Sequence, residues 1–79
     1  MDWREYIEQR PDVMLGKPVI KNTRLTVELI LDKLGGGVDL EELLESYPQL
    51  RPENVRAAQA FAADYIGFDE TIWLSDLAG

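Results

Sequence analysis

Apolar residues recur three or four positions apart in three stretches of the chain, and this spacing predicts three α-helices. The predicted helices cover about residues 27–34, 40–47 and 52–66. Thr26 and Asp39 are side chains that cap helix N-termini, and Pro52 suits the first position of a helix. The glycines at 35–37 and Gly67 are expected to end the first and third helices.

The N-terminal third has a different pattern, which predicts a helical turn followed by a short β-hairpin. Asp2 stands ahead of apolar residues at helical spacing, which predicts a capped helix of about two turns that ends by Pro11. Val19-Ile20 and Thr23–Leu25 predict two strands around a tight turn, in which Asn22 tolerates the left-handed backbone.

The predicted hairpin needs a partner, because an isolated two-stranded hairpin is marginal in water. Its exposed edge is therefore expected to pair with a further strand, for which a second copy of the chain is one source. The residues predicted to form this dimer hairpin are Val19, Ile20, Asn22, Thr23 and Leu25.

The predicted fold class is mainly α, with a three-helix core. A short turn between the last two helices is typical of a helix-turn-helix, although periodicity alone does not separate this arrangement from other three-helix bundles. We expect a single domain over residues 1–79: a helical turn and hairpin at 1–25, the three-helix core at 26–66 and an acidic C-terminal tail at 67–79.

Composition limits how such a small fold is stabilised. The chain has 79 residues and neither cysteine nor histidine, which excludes disulfides and leaves only oxygen ligands for a metal. A core of this size gains only about 3–5 kcal/mol, so association with another subunit is the supplement to expect. The N-terminus is charged and no apolar run reaches the length of a membrane span, which predicts a cytoplasmic protein without membrane contact.

Charge is distributed unevenly. The formal net charge of −7 opposes nonspecific attraction to nucleic acid. Residues 1–33 carry six basic and six acidic side chains, whereas residues 57–79 carry four acidic and no basic ones. The tail mixes these carboxylates with large apolar groups, which suits an anchor on a protein partner; the alternative is that Trp73 folds back onto the core. The tail residues predicted to bind the partner are Phe68, Asp69, Glu70, Ile72, Trp73, Leu74 and Leu77.

A series of short motifs resembles a known family over about residues 7–66. In order, the motifs are Gly16 to Ile20, Thr23-Arg24-Leu25, Gly37, Glu41-Glu42-Leu43-Leu44, Tyr47-Pro48, and Pro52-Glu53 with Ala57-Ala58. Their order and spacing resemble the small prokaryotic family known as domain of unknown function 433. Asn22 replaces the usual turn glycine, Thr26 replaces a frequent proline, and Arg51 stands where a Thr or Ser helix cap is common.

The resemblance implies both a fold and a role. It implies a homeodomain-like helix-turn-helix with an added N-terminal hairpin, often dimeric. It also implies an antitoxin of a type II toxin–antitoxin pair, commonly encoded beside a PIN-like ribonuclease toxin and without an established enzymatic activity.

No set of side chains in the sequence has the spacing of a catalytic site. Without His or Cys, the hydroxyls, lysines and carboxylates offer no recognisable pairing of nucleophile and base. Gly16-Lys17 is not a phosphate-binding loop, because Pro18 stands where a Ser or Thr is required. The carboxylates within 39–45 are better explained as helix caps and a solvated face than as a divalent metal site. We expect no enzymatic activity, no cofactor and no small-molecule substrate.

In a DNA-binding protein of this fold, the third helix would present its N-terminal side chains to base edges. Arg can read guanine and Asn or Gln can read adenine; the alternative is that these are ordinary exposed positions. For the hairpin, the alternatives are that Thr23 supports the turn and that Arg24 pairs with an acid such as Glu28. The candidate DNA-contacting residues are Arg51, Asn54, Arg56 and Gln59, with Lys21 and Arg24 from the hairpin.

The leading hypothesis is an antitoxin-like homodimer whose acidic tail or helix surface inactivates a PIN-like ribonuclease toxin. A DNA-binding transcriptional autoregulator is the alternative, and the two roles are compatible. A structural adaptor that only dimerises is a third.

Overall fold

The fold is described from a computed structural model, which covers the backbone of residues 1–78 and the side chains of residues 1–67. Over these residues the elements, in chain order, are a 3₁₀ turn at Trp3–Glu5, strand β1 at Ile7–Glu8, a tight turn at Met14–Gly16, strand β2 at Val19–Ile20, and helices α1 at Val27–Gly35, α2 at Leu40–Ser46 and α3 at Pro52–Ala78. This arrangement confirms the predicted mainly α fold class, with its N-terminal helical turn, short antiparallel hairpin and three-helix core.

The N-terminal helix is shorter than the sequence predicted. Asp2 caps it as expected, since its Oδ1 accepts from the Arg4 N–H at 3.1 Å. The expectation of a second helical turn was wrong, because Ile7 leaves the helix and pairs as a strand with Ile20. Both isoleucines are buried in the core, so cross-strand pairing of two β-branched side chains replaces the second turn.

The hairpin is real, but its strands are not the two that the sequence predicted. β2 pairs in antiparallel fashion with β1, in the register Ile7 to Ile20 and Glu8 to Val19. The predicted second strand at 23–25 was wrong. That segment forms a turn in which Asn22 has the expected positive φ of 65°, followed by a single bridge between Val19 and Thr26.

The predicted helix caps are confirmed. The Thr26 hydroxyl accepts from the Leu29 N–H at 3.0 Å at the start of α1. Asp39 Oδ1 accepts from the Glu42 N–H at 2.9 Å at the start of α2. Each cap satisfies one of the backbone donors that a helix N-terminus leaves unpaired, which is why both helices begin where the sequence indicated.

α3 departs most from expectation, because it continues through Gly67 to Ala78. The prediction that Gly67 ends the helix was therefore wrong. A glycine stops a helix by adopting a positive φ, and Gly67 does not. An interior glycine costs a helix only about 0.5–1 kcal/mol, which does not terminate it.

The core lies where the hairpin and the three helices meet. It is built from aliphatic side chains with one aromatic ring, and every buried side-chain polar atom within the described residues has a hydrogen-bond partner. Its buried members are Ile7, Ile20, Val27, Ile30, Leu43, Leu50, Val55, Ala57, Ala58 and Phe61.

Candidate binding surfaces

A polar groove of about 420 Å³ lies between the hairpin turn and the start of α3. It brings together Lys21 and Asn22 from the turn with Arg51 and Asn54 from the helix start. Neither cation forms an ion pair with a described side chain. The carboxylates of Glu5 and Glu53 also line the groove, so its two positive and two negative formal charges cancel. Any anion it holds must therefore be positioned by direct contact with Lys21 and Arg51, because the groove as a whole has no net positive charge.

Asn54 has a structural role that the sequence reading missed. Its side-chain Oδ1 accepts from the Arg51 N–H at 2.8 Å, and its own N–H donates to the Arg51 carbonyl at 2.9 Å. This is the returning half of a capping box. Asn54 therefore satisfies the backbone N–H of Arg51, and its side-chain oxygen is already engaged, which leaves only the amide NH₂ for reading a base.

The other candidate DNA-contacting residues are more scattered. Arg56 pairs with Glu53, at 3.6 Å between Nη2 and Oε1, on the surface of α3. Gln59 is exposed on the same helix and forms no side-chain hydrogen bond within the described residues. Arg24 lines a neighbouring cleft of about 450 Å³ instead of the polar groove.

The anticipated pair between Arg24 and Glu28 is absent from the described residues. Glu28 binds Lys17 instead, at 3.0 Å between Oε2 and Nζ. The structural reading of Thr23 is confirmed, because its hydroxyl donates to the Ile20 carbonyl at 2.7 Å and accepts from the Leu25 N–H at 3.0 Å. Thr23 thus fixes the turn that carries Lys21 and Asn22.

The predicted dimer hairpin has no open edge at β2, which corrects the basis of that expectation. β1 covers one side of the strand and the bridge to Thr26 occupies the other. Val19 and Ile20 are buried and Leu25 is partly buried within a single chain. Asn22 is exposed at the tip of the turn.

An aromatic cluster fastens the N-terminus to α3. The Trp3 ring packs edge-on against Phe61 at 4.7 Å between centroids, and Phe61 contacts Tyr65 at 4.6 Å. Trp3 Nε1–H donates to Asp64 Oδ2 at 2.6 Å. The sequence pattern did not indicate the two contacts of Trp3, because they join residues 58 and 61 positions apart.

The predicted tail residues Phe68, Asp69, Glu70, Ile72, Trp73, Leu74 and Leu77 have side chains outside the described residues. The backbone there is the continuation of α3. Just before it, Tyr65 and Ile66 are 58% and 62% exposed. Near the last of the described side chains, α3 therefore carries two large apolar groups that the core leaves mostly exposed.

An apolar groove of about 320 Å³ lies between α1 and α3. Pro18, Val27, Leu31 and Ala62 line it, with the Lys17–Glu28 ion pair at its rim. Beside it, the tight turn exposes Leu15 at 95% of its surface.

Two features that would bear on function are absent from the described residues. No helix there combines the length and apolar character needed to cross a bilayer. The acidic side chains of that part of the chain do not gather into a group of three that could hold a metal ion.

Comparison with known proteins identifies the family. The family model described as "Protein of unknown function (DUF433)" matches residues 7–62. The uncharacterized protein y4eO of Sinorhizobium fredii is 34% identical over 59 residues, which are 75% of this chain but only 27% of that protein. A crystal structure of a DUF433 member from Anabaena variabilis aligns with a TM-score of 0.69 and 32% identity, covering 92% of this chain and 68% of that one. The chain belongs to the DUF433 family, as the order of its motifs predicted.

Proposed function

We propose that this protein is a cytoplasmic antitoxin-like binding protein that neutralises a PIN-like ribonuclease toxin through protein–protein contacts and without catalysis. The observation that carries the proposal is the continuation of α3 beyond the core, with Tyr65 and Ile66 left uncovered. A helix that leaves two large apolar side chains mostly exposed suits insertion into a groove of another protein.

Charge supports the same kind of partner. Residues 57–79 carry four acidic and no basic side chains, and a ribonuclease must attract a polyanionic substrate, so its active-site groove is expected to be cationic. Apolar contacts would supply affinity, while carboxylates on the same helix would face the cations of the toxin groove and pair with them. The remainder of the chain then serves as a compact support for α3.

The test is co-expression with the product of the neighbouring gene. The wild-type chain should co-purify with the toxin and restore growth of cells that express it. The double variant Tyr65→Ser and Ile66→Ser should weaken the complex tenfold or more, because aromatic and large aliphatic anchors dominate interface energies, at roughly 2 kcal/mol or above each. Binding is measured by titration calorimetry on the purified chains.

The matched control is Ala60→Ser. Ala60 is partly exposed on α3 and lies about 140° from Tyr65 and about 120° from Ile66 around the helix. It should leave binding unchanged. If the wild-type chain forms no complex and rescues no growth, the proposal fails; if Ala60→Ser weakens binding as much as the double variant, the contact is not on the face of Tyr65 and Ile66.

Binding of DNA, as a transcriptional autoregulator, is the second candidate. The observation in its favour is the polar groove, where Lys21 and Arg51 are free of described ion-pair partners and lie beside three amide side chains. Two cations and neighbouring amides suit contacts to a phosphodiester backbone.

The DNA role is tested by anisotropy titration of the DNA upstream of the gene at two salt concentrations. Arg51→Glu should weaken binding and reduce the salt slope by about one, as expected for the loss of one phosphate contact. Lys33→Glu makes the same charge change on α1, away from the groove, and serves as the control. Absence of saturable binding at low salt removes the DNA role and leaves toxin binding untouched.

A further inference from the structure

The turn between β1 and β2 has a backbone conformation that its residues disfavour. Met14 and Leu15 have φ values of 48° and 58°, and Gly16 follows at 81°. The turn closes through hydrogen bonds from the Gly16 N–H to the Val13 carbonyl at 3.0 Å and from the Lys17 N–H to the Met14 carbonyl at 3.1 Å. Asn, Asp and Gly normally occupy such left-handed positions, and a branched apolar residue there is an outlier.

Among the described residues, no packing of the Leu15 side chain offsets this cost. The Leu15 side chain is 95% exposed, so it contributes almost nothing to the core. Left-handed backbone at a bulky residue persists where the surrounding structure holds it, and it concentrates at functional positions. The turn therefore displays an apolar side chain to solvent, which is the form of an interface anchor.

A matching receptor lies beside it on the same chain. The apolar groove between α1 and α3 has a volume of about 320 Å³, and a cavity of about 150 Å³ is already enough to hold a benzene molecule. Leu15 is two residues from Lys17, which lines that groove, so the two Cα atoms are within about 7 Å of each other. The anchor and the receptor therefore lie close together on the surface of the chain.

From this juxtaposition we infer that two copies of the chain associate about a twofold axis, with Leu15 of each copy inserted in the apolar groove of the other. A twofold interface uses the same patch on both subunits, so it requires an anchor and its receptor side by side. A partner other than a second copy would need only the Leu15 anchor or only the groove, and not both.

The charge at this face agrees with a second copy as the occupant. Each chain carries a net charge of −7, which makes most approaches of two copies repulsive. The groove rim carries one cation and one anion, Lys17 and Glu28, so two rims can meet without net repulsion. Association here also supplies the stabilisation that a chain of this size, without disulfides, lacks.

The test is sedimentation velocity over a concentration series, with Leu15→Asn as the main variant. The wild-type chain should reach a mass twice its 9.0 kDa. Asn removes the apolar anchor and favours the left-handed turn, so the monomer should keep its fold, as far-UV circular dichroism can check. The loss is expected to be about tenfold per buried leucine, or about a hundredfold in the dimer dissociation constant, since two are buried.

The control is Leu40→Asn. Leu40 is another exposed leucine, at 43%, in the first turn of α2 and outside the groove. It should leave dimerisation unchanged. A wild-type chain that stays monomeric at every concentration overturns the inference, as does a dimer that Leu15→Asn does not weaken or that Leu40→Asn weakens equally.

Cross-linking tests the contact itself. The chain has no cysteine, so Leu15→Cys and Ala62→Cys chains can be mixed under mild oxidation without background. A disulfide-linked dimer should accumulate in this mixture and not when Leu40→Cys replaces Leu15→Cys. Equal cross-linking in the two mixtures would mean that Leu15 does not enter the groove.

Discussion

Two glycines of the chain are expected to respond to alanine with opposite signs. Gly37 has φ of 98° and follows Gly36, the residue that caps the C-terminus of α1. Its N–H donates to the Leu34 carbonyl at 3.1 Å and the next N–H, of Val38, donates to the Lys33 carbonyl at 3.1 Å. This pair of bonds is the Schellman motif, which needs a left-handed residue at the position of Gly37. Gly67, in contrast, lies inside α3 without a positive φ.

The magnitudes follow from backbone conformation, because space is not limiting at either position. A Cβ added at Gly37 or Gly67 meets no atom within 4 Å. Gly37→Ala should lower the free energy of unfolding by about 1–2 kcal/mol, the cost of left-handed backbone for a residue with a Cβ. Gly67→Ala should stabilise α3 by about 0.5–1 kcal/mol, because alanine loses less conformational freedom in a helix.

Urea and thermal unfolding followed by far-UV circular dichroism measure both effects at one protein concentration. A change of 1 kcal/mol corresponds to about 4–8 °C in Tm for a domain of this size. Gly67→Ala should also increase the helical signal at 222 nm or leave it unchanged. A destabilised Gly67→Ala chain with reduced helical signal would mean that α3 ends at this glycine, as the sequence pattern predicted, and the argument for a continuous helix would be refuted.

Three further predictions concern individual hydrogen bonds, each measured by urea unfolding. Thr26→Val keeps the shape of the side chain but removes the hydroxyl cap of α1, and should cost about 1 kcal/mol; no change would mean that the cap is not needed. Asn54→Ala should cost about as much by removing the cap of α3, whereas Asn54→Asp keeps the acceptor and should be near neutral; equal losses would exclude capping as its role. Asp64→Ala removes the carboxylate that accepts from Trp3 Nε1–H and leaves the indole ring in place, so it should cost about 0.5–1.5 kcal/mol, and no loss would contradict the assigned hydrogen bond.

The features that the sequence predicted well are those decided by neighbouring residues. Thr26 and Asp39 were identified as caps because capping depends on a side chain and the N–H groups two or three positions ahead. The positive φ of Asn22 was predicted for the same reason, since short polar side chains tolerate that conformation locally. The ends of α1 and α2 could therefore be placed to within a residue or two.

The features that the sequence missed depend on distant partners. Ile7 fits an amphipathic helical turn equally well, and only its pairing with Ile20 makes it a strand. The contact of Trp3 with Phe61 joins residues 58 positions apart, which no periodicity reports. Lys21 and Arg51 were each considered for nucleic acid, but their meeting in one groove follows from how the hairpin packs against the start of α3.

The turn at Leu15 was missed for a further reason, since its conformation contradicts the preference of its own residues. The local conformational preference of residues usually agrees with the final fold, and its failures concentrate at functional sites.

Leu15 and the pair Tyr65 and Ile66 are the exposed apolar groups to which the two proposals assign different partners. On these assignments, Leu15→Asn should weaken self-association without changing the affinity of each α3 helix for the toxin. The double variant Tyr65→Ser and Ile66→Ser should weaken toxin binding without changing self-association. The triple variant should show both losses undiminished, because the free-energy changes of mutations at independent sites are additive. A Leu15→Asn chain that lost toxin affinity directly would show that the two surfaces form one site.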